Sequence, residues 1–199
     1  MTQNVTSALL AAANIDGVIA VVSSLEKQET KLGRSSYVVT SKGDEVKTAF
    51  KVIDAKKLII SNNLDGSINP SFPEELQPRD RTRLSSKLQV NRIAANLRPA
   101  QLTDSGMSSH GSPIVGPDNV VESGNGRSMG IWRAYEQGQA EDYRQYLIDH
   151  AKEFGLNPED VRAMVMPVLV RERLTDVDRA QFARDSNISD LQEMAASEK

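Results

Sequence analysis

Pro113-Ile-Val-Gly-Pro-Asp-Asn-Val-Val-Glu-Ser-Gly-Asn-Gly-Arg-Ser128 decides how the rest of the chain is read. Pro113-Ile-Val115 is a short apolar run, Gly116-Pro-Asp-Asn119 is a set of turn residues, and Val120-Val-Glu122 returns as a second run. Gly124-Asn-Gly-Arg127 then opens a helix that puts Met129, Trp132 and Tyr135 on one face, the spacing of a core stripe. Glycines between a strand and a helix allow a sharp bend and leave N–H groups uncovered at the positive end of the helix dipole, where an anion is favoured. Arg127 adds a forked donor for phosphate oxygens and Ser128 a hydroxyl. The spacing matches neither a Walker A loop nor a dinucleotide fingerprint. A tight turn with a structural arginine fits the same residues.

Toward the C-terminus, Tyr143, Leu147, Ala151 and Phe154 give a helix over 141–154, closed by Gly155. Asn157-Pro-Glu-Asp160 starts another helix, with an N-cap Asn and Pro at the first helical position. Val168-Leu-Val170 is a buried strand. Thr175 is expected to cap a helix over 176–185, and Ser189 to Gln192 reads as the capping box of a last short helix. Toward the N-terminus, a helix from Thr82 to Asn96 carries Leu84, Leu88 and Ala95 with Ile93 and Leu97 as its stripe, and Pro99 ends it. Ser61 to Pro78 is loop by composition, long enough to suggest function or disorder. Tyr37–Thr40 and Val46–Ile53 form a hairpin in which Val46, Thr48, Phe50 and Val52 share one face and Lys47 and Lys51 the other. Val5–Ala13 reads as a short helix and Gly17–Val22 as a buried strand. The expected fold is mixed α+β: an N-terminal α/β extension over 1–57, which could equally be the edge of the main sheet, a core over 58–187 and a tail over 188–199.

Composition narrows the chemistry. The chain has 199 residues, 24 Lys+Arg, 27 Asp+Glu, two His and no Cys. A single domain or a core with an appended piece is expected at that length. Disulfide scaffolds, thiol catalysis and cysteine zinc sites are excluded. No apolar run approaches a bilayer span and no leader pattern is visible, so a cytoplasmic protein without membrane contact is expected. The net charge of −3 argues against a dedicated DNA-coating protein.

That average hides a basic stretch. Between Leu76 and Leu102, Arg79, Arg81, Arg83, Lys87, Arg92 and Arg98 stand against the single acid Asp80. A solvated helix face explains such a stretch, and so does a phosphate-binding surface. Within it, Gln77-Pro-Arg-Asp-Arg81 leads into a helix, which repeats the anion-site logic of the Gly124 turn. His110 is a loop histidine without a partner motif. Asp104, Asp118 and Glu122 could hold a divalent ion beside a nucleotide, although no spacing specific to a metal site is present.

The order of these segments resembles the ParB/sulfiredoxin superfamily, and in particular the DdrB-like ParB domains of phages and other mobile elements. Leu76-Gln-Pro-Arg-Asp-Arg81, Gly111-Ser-Pro-Ile-Val115, Glu122-Ser-Gly-Asn-Gly-Arg127 and Pro167-Val-Leu-Val-Arg171 carry the resemblance, which covers about residues 58–187. It implies a small mixed sheet flanked by helices and a nucleotide-phosphate site formed by Gly124, Asn125, Gly126, Arg127 and Ser128, with Gln77, Arg79 and Arg81 upstream. The ligand it implies is a nucleoside triphosphate with Mg²⁺, since ParB is a CTP-dependent clamp. Sulfiredoxin chemistry is excluded, because Asn125 stands where that enzyme needs cysteine. About 30 residues follow Val170, too few for the helix-turn-helix module of ParB. A slow nucleotide triphosphatase acting in DNA processing or in countering defence is one reading. A DNA-backbone-binding or nuclease domain using residues 79–98, with Glu122 as the candidate catalytic residue beside Asp104 and Asp118, is another, and an interaction domain with a vestigial site a third. A homodimer is compatible with all three.

Overall fold

The computed structural model describes residues 31–76 and 84–187. The chain divides into two compact units, 1–31 and 32–199. The helix expected over Val5–Ala13, the strand at Gly17–Val22, residues Gln77, Arg79 and Arg81, and the last short helix lie outside the described residues.

The second unit is mixed α+β. Strands β1 (Ser35–Val39), β2 (Glu45–Asp54), β3 (Ile114–Val115), β4 (Val121–Ser123) and β5 (Pro167–Arg173) form one sheet in the order β1-β2-β5-β3-β4. The β3–β5 pair is parallel and the other pairs are antiparallel. Helices α1 (Leu84–Ala95), α2 (Asn125–Glu136), α3 (Glu141–His150), α4 (Pro158–Ala163) and α5 (Arg179–Asp185) complete the described elements, with short 3-10 turns between them.

The hairpin over 35–54 is part of the main sheet. Seven residues of β2, Thr48 to Asp54, pair with β5, so a boundary at residue 57 would cut the longest ladder in the fold. The reading of Lys51 also changes. A half-buried strand would leave Lys51 in water, but Lys51 is 3% exposed. Its ammonium donates to Glu172 at 2.9 Å and to Asn119 at 3.0 Å. Those partners offset the desolvation that a buried lysine would otherwise suffer.

The largest core cluster joins Phe50, Val52 and Leu169 of the sheet to Ile131 of α2, Tyr143 and Leu147 of α3, and Phe154. Phe50 and Phe154 meet with ring centroids 5.0 Å apart. A separate cluster gathers Val38, Val46 and Ile114 around Phe182 of α5. Burying one such ring contributes about 2 kcal/mol.

Local signals set most boundaries. Asn157 caps α4 through its side-chain oxygen, which accepts from the Glu159 amide, and Gly155 takes φ +70 after a 3-10 turn over Ala151–Phe154. Two details depart from the expectation. The cap before α5 is Asp178, whose Oδ1 accepts from the Gln181 amide. Thr175 is engaged instead with the sheet, its hydroxyl accepting from the Lys47 amide at 2.8 Å. In α1 the inward line runs through buried Val90 and Ala94 with half-buried Ile93, and half-buried Leu97 continues it past the helix end, while Leu88 and Ala95 of the expected stripe are exposed. The rotation follows from close packing on α2: a Cβ on Gly130 would stand 2.5 Å from Ile93, so α1 turns that side chain into the gap.

Candidate functional site

The Gly124 turn has the bend its sequence suggests. Gly124 caps α2 with φ +90, a left-handed conformation that costs glycine little. The first helical bond runs from the Ser128 amide to the Gly124 carbonyl at 2.9 Å, so the earlier amides of α2 precede its ladder. Asn125 is buried and spends its side chain on the scaffold. Its Oδ1 accepts from the Ser61 amide at 2.8 Å and its Nδ2 donates to the Val121 carbonyl at 3.2 Å. Ser128 likewise turns inward, its hydroxyl donating to the Gly124 carbonyl. Arg127 folds back across the turn, with Nε and Nη2 within 2.9 Å of where a Cβ on Gly124 would sit.

Arg127 also reaches the wall of a cleft of about 520 Å³. Ile93, Leu97 and Leu102 give the cleft an apolar side. Asn96, Arg98 and Gln101 line it from the end of α1 and the following turn, and Ser105, Ser109, His110 and Gly111 line it from the loop before β3. Arg98 follows Leu97 directly, and Pro99 starts a 3-10 turn after it. Of the five residues at the Gly124 turn, Arg127 is the one that lines this cleft. Of the described cations in the basic stretch, Arg98 lines it, whereas Lys87 lies against Gly66 and Arg92 is exposed on α1.

Among the described residues the carboxylate lining the cleft is Asp104, held by Arg34 at 2.8 Å and by the Ser36 hydroxyl at 3.1 Å. Burial alone would raise the Asp104 carboxyl, but those two hydrogen bonds and the charges of Arg34 and Arg171 bring it below the ordinary aspartate value. His110 presents its ring beside Ser109, whose hydroxyl meets Nδ1 at 2.8 Å. Behind the loop lies Arg171, fully buried on β5. Sequence reading passed over it as the last residue of a strand motif. The available signal was a basic residue at the end of the apolar run Val168-Leu-Val170.

Glu122 does not reach this cleft. It is 1% exposed, and Arg173 grips both of its oxygens, Nε to Oε2 at 2.8 Å and Nη2 to Oε1 at 3.1 Å. Arg179 adds a bond to Oε1 at 2.8 Å and spans to Asp118 at 3.0 Å. This network closes over Gly116, where a Cβ would stand 2.7 Å from Oε1 of Glu122. Asp118 and Glu122 thus share one ion-pair network through Arg179, while Asp104 is paired apart from it with Arg34. Among the described residues no group of three His, Asp or Glu side chains is placed to hold a metal ion.

A model of the ddrB-like ParB superfamily domain matches residues 41–174, which includes both arms of the β2–β5 ladder, the cleft and the Gly124 turn. The chain belongs to the ddrB-like ParB superfamily. Comparison with curated proteins and with solved structures gives no match. The ParB-like match starts at residue 41, within the hairpin that the pairing of β2 places in the sheet. No helix among the described residues of this ParB-like chain is long and apolar enough to cross a membrane.

Proposed function

We propose that the cleft of this ParB-like domain binds a phosphate-bearing ligand, with a nucleoside triphosphate and Mg²⁺ as the form that suits it best. The observation that carries the reading is the convergence of the Arg98 and Arg127 side chains on one cleft, next to the first amides of α2. Guanidinium forks match the oxygens of a phosphate chain. Ile93, Leu97 and Leu102 offer apolar surface to a base or sugar. The volume lies in the range of about 300–1,000 Å³ typical of small-molecule sites. Mg²⁺ fits as an ion carried mainly by the phosphates, because it keeps its waters readily and needs few protein carboxylates; Asp104 is the carboxylate at hand. The family supports a role in DNA processing or in countering defence within a phage or other mobile element.

The turn contributes through Arg127 and through the dipole of α2, whereas Asn125 and Ser128 shape the bend. The nuclease reading loses support, because Glu122 and Asp118 are committed to Arg173 and Arg179. Calorimetric titration of the full chain with CTP, ATP and GTP in Mg²⁺, and with inorganic triphosphate, tests the proposal. Saturable binding of at least one nucleotide, tighter than inorganic triphosphate, is expected. Absence of binding at millimolar ligand by a folded chain would overturn it.

A further inference from the structure

We infer that Arg171 is a positioning residue for the cleft, acting by fixing the loop from Ser105 to Ser112 from behind. The inference rests on the cleft being the ligand site. Arg171 leaves β5 fully buried and donates to backbone carbonyls of that loop: Nη1 to Ser105 at 2.7 Å, Nη2 to Ser112 at 2.7 Å, Nε to Ser112 at 3.2 Å, and Nη2 also to His110. Arg127 takes the carbonyl between them, that of Gly111, at 2.6 Å. The consecutive carbonyls of His110, Gly111 and Ser112 are therefore held by two guanidinium groups, one on β5 and one on α2. Ser105, Ser109, His110 and Gly111 of the same loop line the cleft.

A guanidinium buried among neutral carbonyls loses its hydration, and no carboxylate answers it by a direct hydrogen bond among the described residues. Burial and the nearby charge of Arg127 push Arg171 below the ordinary arginine range, with Asp104 opposing. An apolar side chain on this strand would avoid that cost but would leave the carbonyls of Ser105, His110 and Ser112 without this donor. What an apolar side chain cannot do is span carbonyls of three residues. A lysine cannot do so either, because its ammonium is a compact point rather than a planar fork. The Gly111 corner depends on this span. It has φ +72, and a Cβ there would stand 2.6 Å from the Thr103 carbonyl and 3.3 Å from Arg171 Nη2.

The test compares Arg171→Met and Arg171→Lys with the wild-type chain by thermal melting, amide hydrogen exchange and titration with CTP, ATP and inorganic triphosphate in Mg²⁺. Expected is a lowered but still cooperative Arg171→Met melt, with exchange at 105–112 accelerated and exchange in β2 unchanged. Affinity falls about tenfold or more in both variants, and lysine gives no rescue. A merely structural arginine would instead leave the affinity of the folded fraction unchanged, and that result overturns the inference. Full rescue by lysine also overturns it. If the wild-type chain binds none of the probes, the ligand reading fails while exchange at 105–112 still decides whether Arg171 fixes the loop. Should both variants fail to fold, nitrogen-15 spectra of the wild-type arginine side chains decide. A hindered, slowly exchanging Arg171 guanidinium is expected, and free rotation contradicts the inference.

Discussion

The Arg127 Nη1 donates to the carbonyl of Gly111 at 2.6 Å, joining the first turn of α2 to the loop before β3. The guanidinium thus bridges two glycine-dependent bends, Gly124 at φ +90 and Gly111 at φ +72, and stands at the wall of the cleft between them. Its placement makes it the residue on which a phosphate ligand would depend most.

Arg127→Ala is expected to weaken nucleotide binding by about 2 kcal/mol, roughly thirtyfold, through loss of charge-assisted bonds. Arg98→Ala, at a more exposed position, is expected to cost about 1 kcal/mol of binding. Both variants should keep a cooperative melt. Parallel calorimetry of the two proteins checks the order; equal affinity to the wild type in Arg127→Ala would remove the ligand from this end of the cleft.

Glycine substitutions separate backbone strain from ligand effects. Gly124 and Gly138 both have positive φ, but a Cβ on Gly124 meets the Arg127 guanidinium, whereas one on Gly138 meets open space. Alanine at either position is expected to cost about 1–2 kcal/mol of stability, from the left-handed backbone. Only Gly124→Ala should also reduce binding, by displacing Arg127. Denaturant melts paired with titrations read the two effects independently.

Glu122→Ala is expected to destabilise the fold by about 3–5 kcal/mol, because it strands the buried Arg173 guanidinium. Arg179→Ala should cost only about 1 kcal/mol, since Arg179 is partly exposed at its site beside Asp118. Any activity lost in Glu122→Ala should then track the unfolded fraction, which urea titration monitored alongside the assay measures directly.

Acid sensitivity has a defined sign at the cleft rim. The Asp104 carboxyl is held below its ordinary value in the folded chain, so the unfolded chain binds the proton first, near pH of about 3.9. Its contribution to stability is complete above that value and disappears as pH falls through the lower folded value. Asp104→Asn should therefore lose less stability between pH 7 and pH of about 3 than the wild type does. Denaturation midpoints at the two pH values give the comparison.

Much of the fold was legible because its signals are local. The Gly124 bend, the Asn157-Pro158 start and the two arms of the hairpin rest on residues whose conformational preferences act over a few positions. Lys51 was misread because its face is covered by groups remote in sequence, Glu172 of β5 and Asn119 of the turn between β3 and β4, and period-2 alternation carries no information about them. Leu88 and Ala95 of the expected stripe are exposed for a related reason: the gap above Gly130 that receives Ile93 exists only once α2 is packed. The cleft was half legible. Arg127 stood out beside its glycines, but Arg98, His110 and Arg171 come from separate segments, and their convergence depends on the β3–β5 pairing. Glu122 was read for its charge alone; its partners Arg173 and Arg179 are more than 50 residues further along the chain.

The most direct test of the central claim is a crystal structure of the chain grown with Mg²⁺ and a non-hydrolysable nucleoside triphosphate analogue. The account predicts phosphate oxygens at about 3 Å from the Arg127 and Arg98 guanidinium groups, with the base against Ile93, Leu97 and Leu102. A cleft left empty at saturating analogue, or phosphates bound elsewhere on the domain, would contradict it.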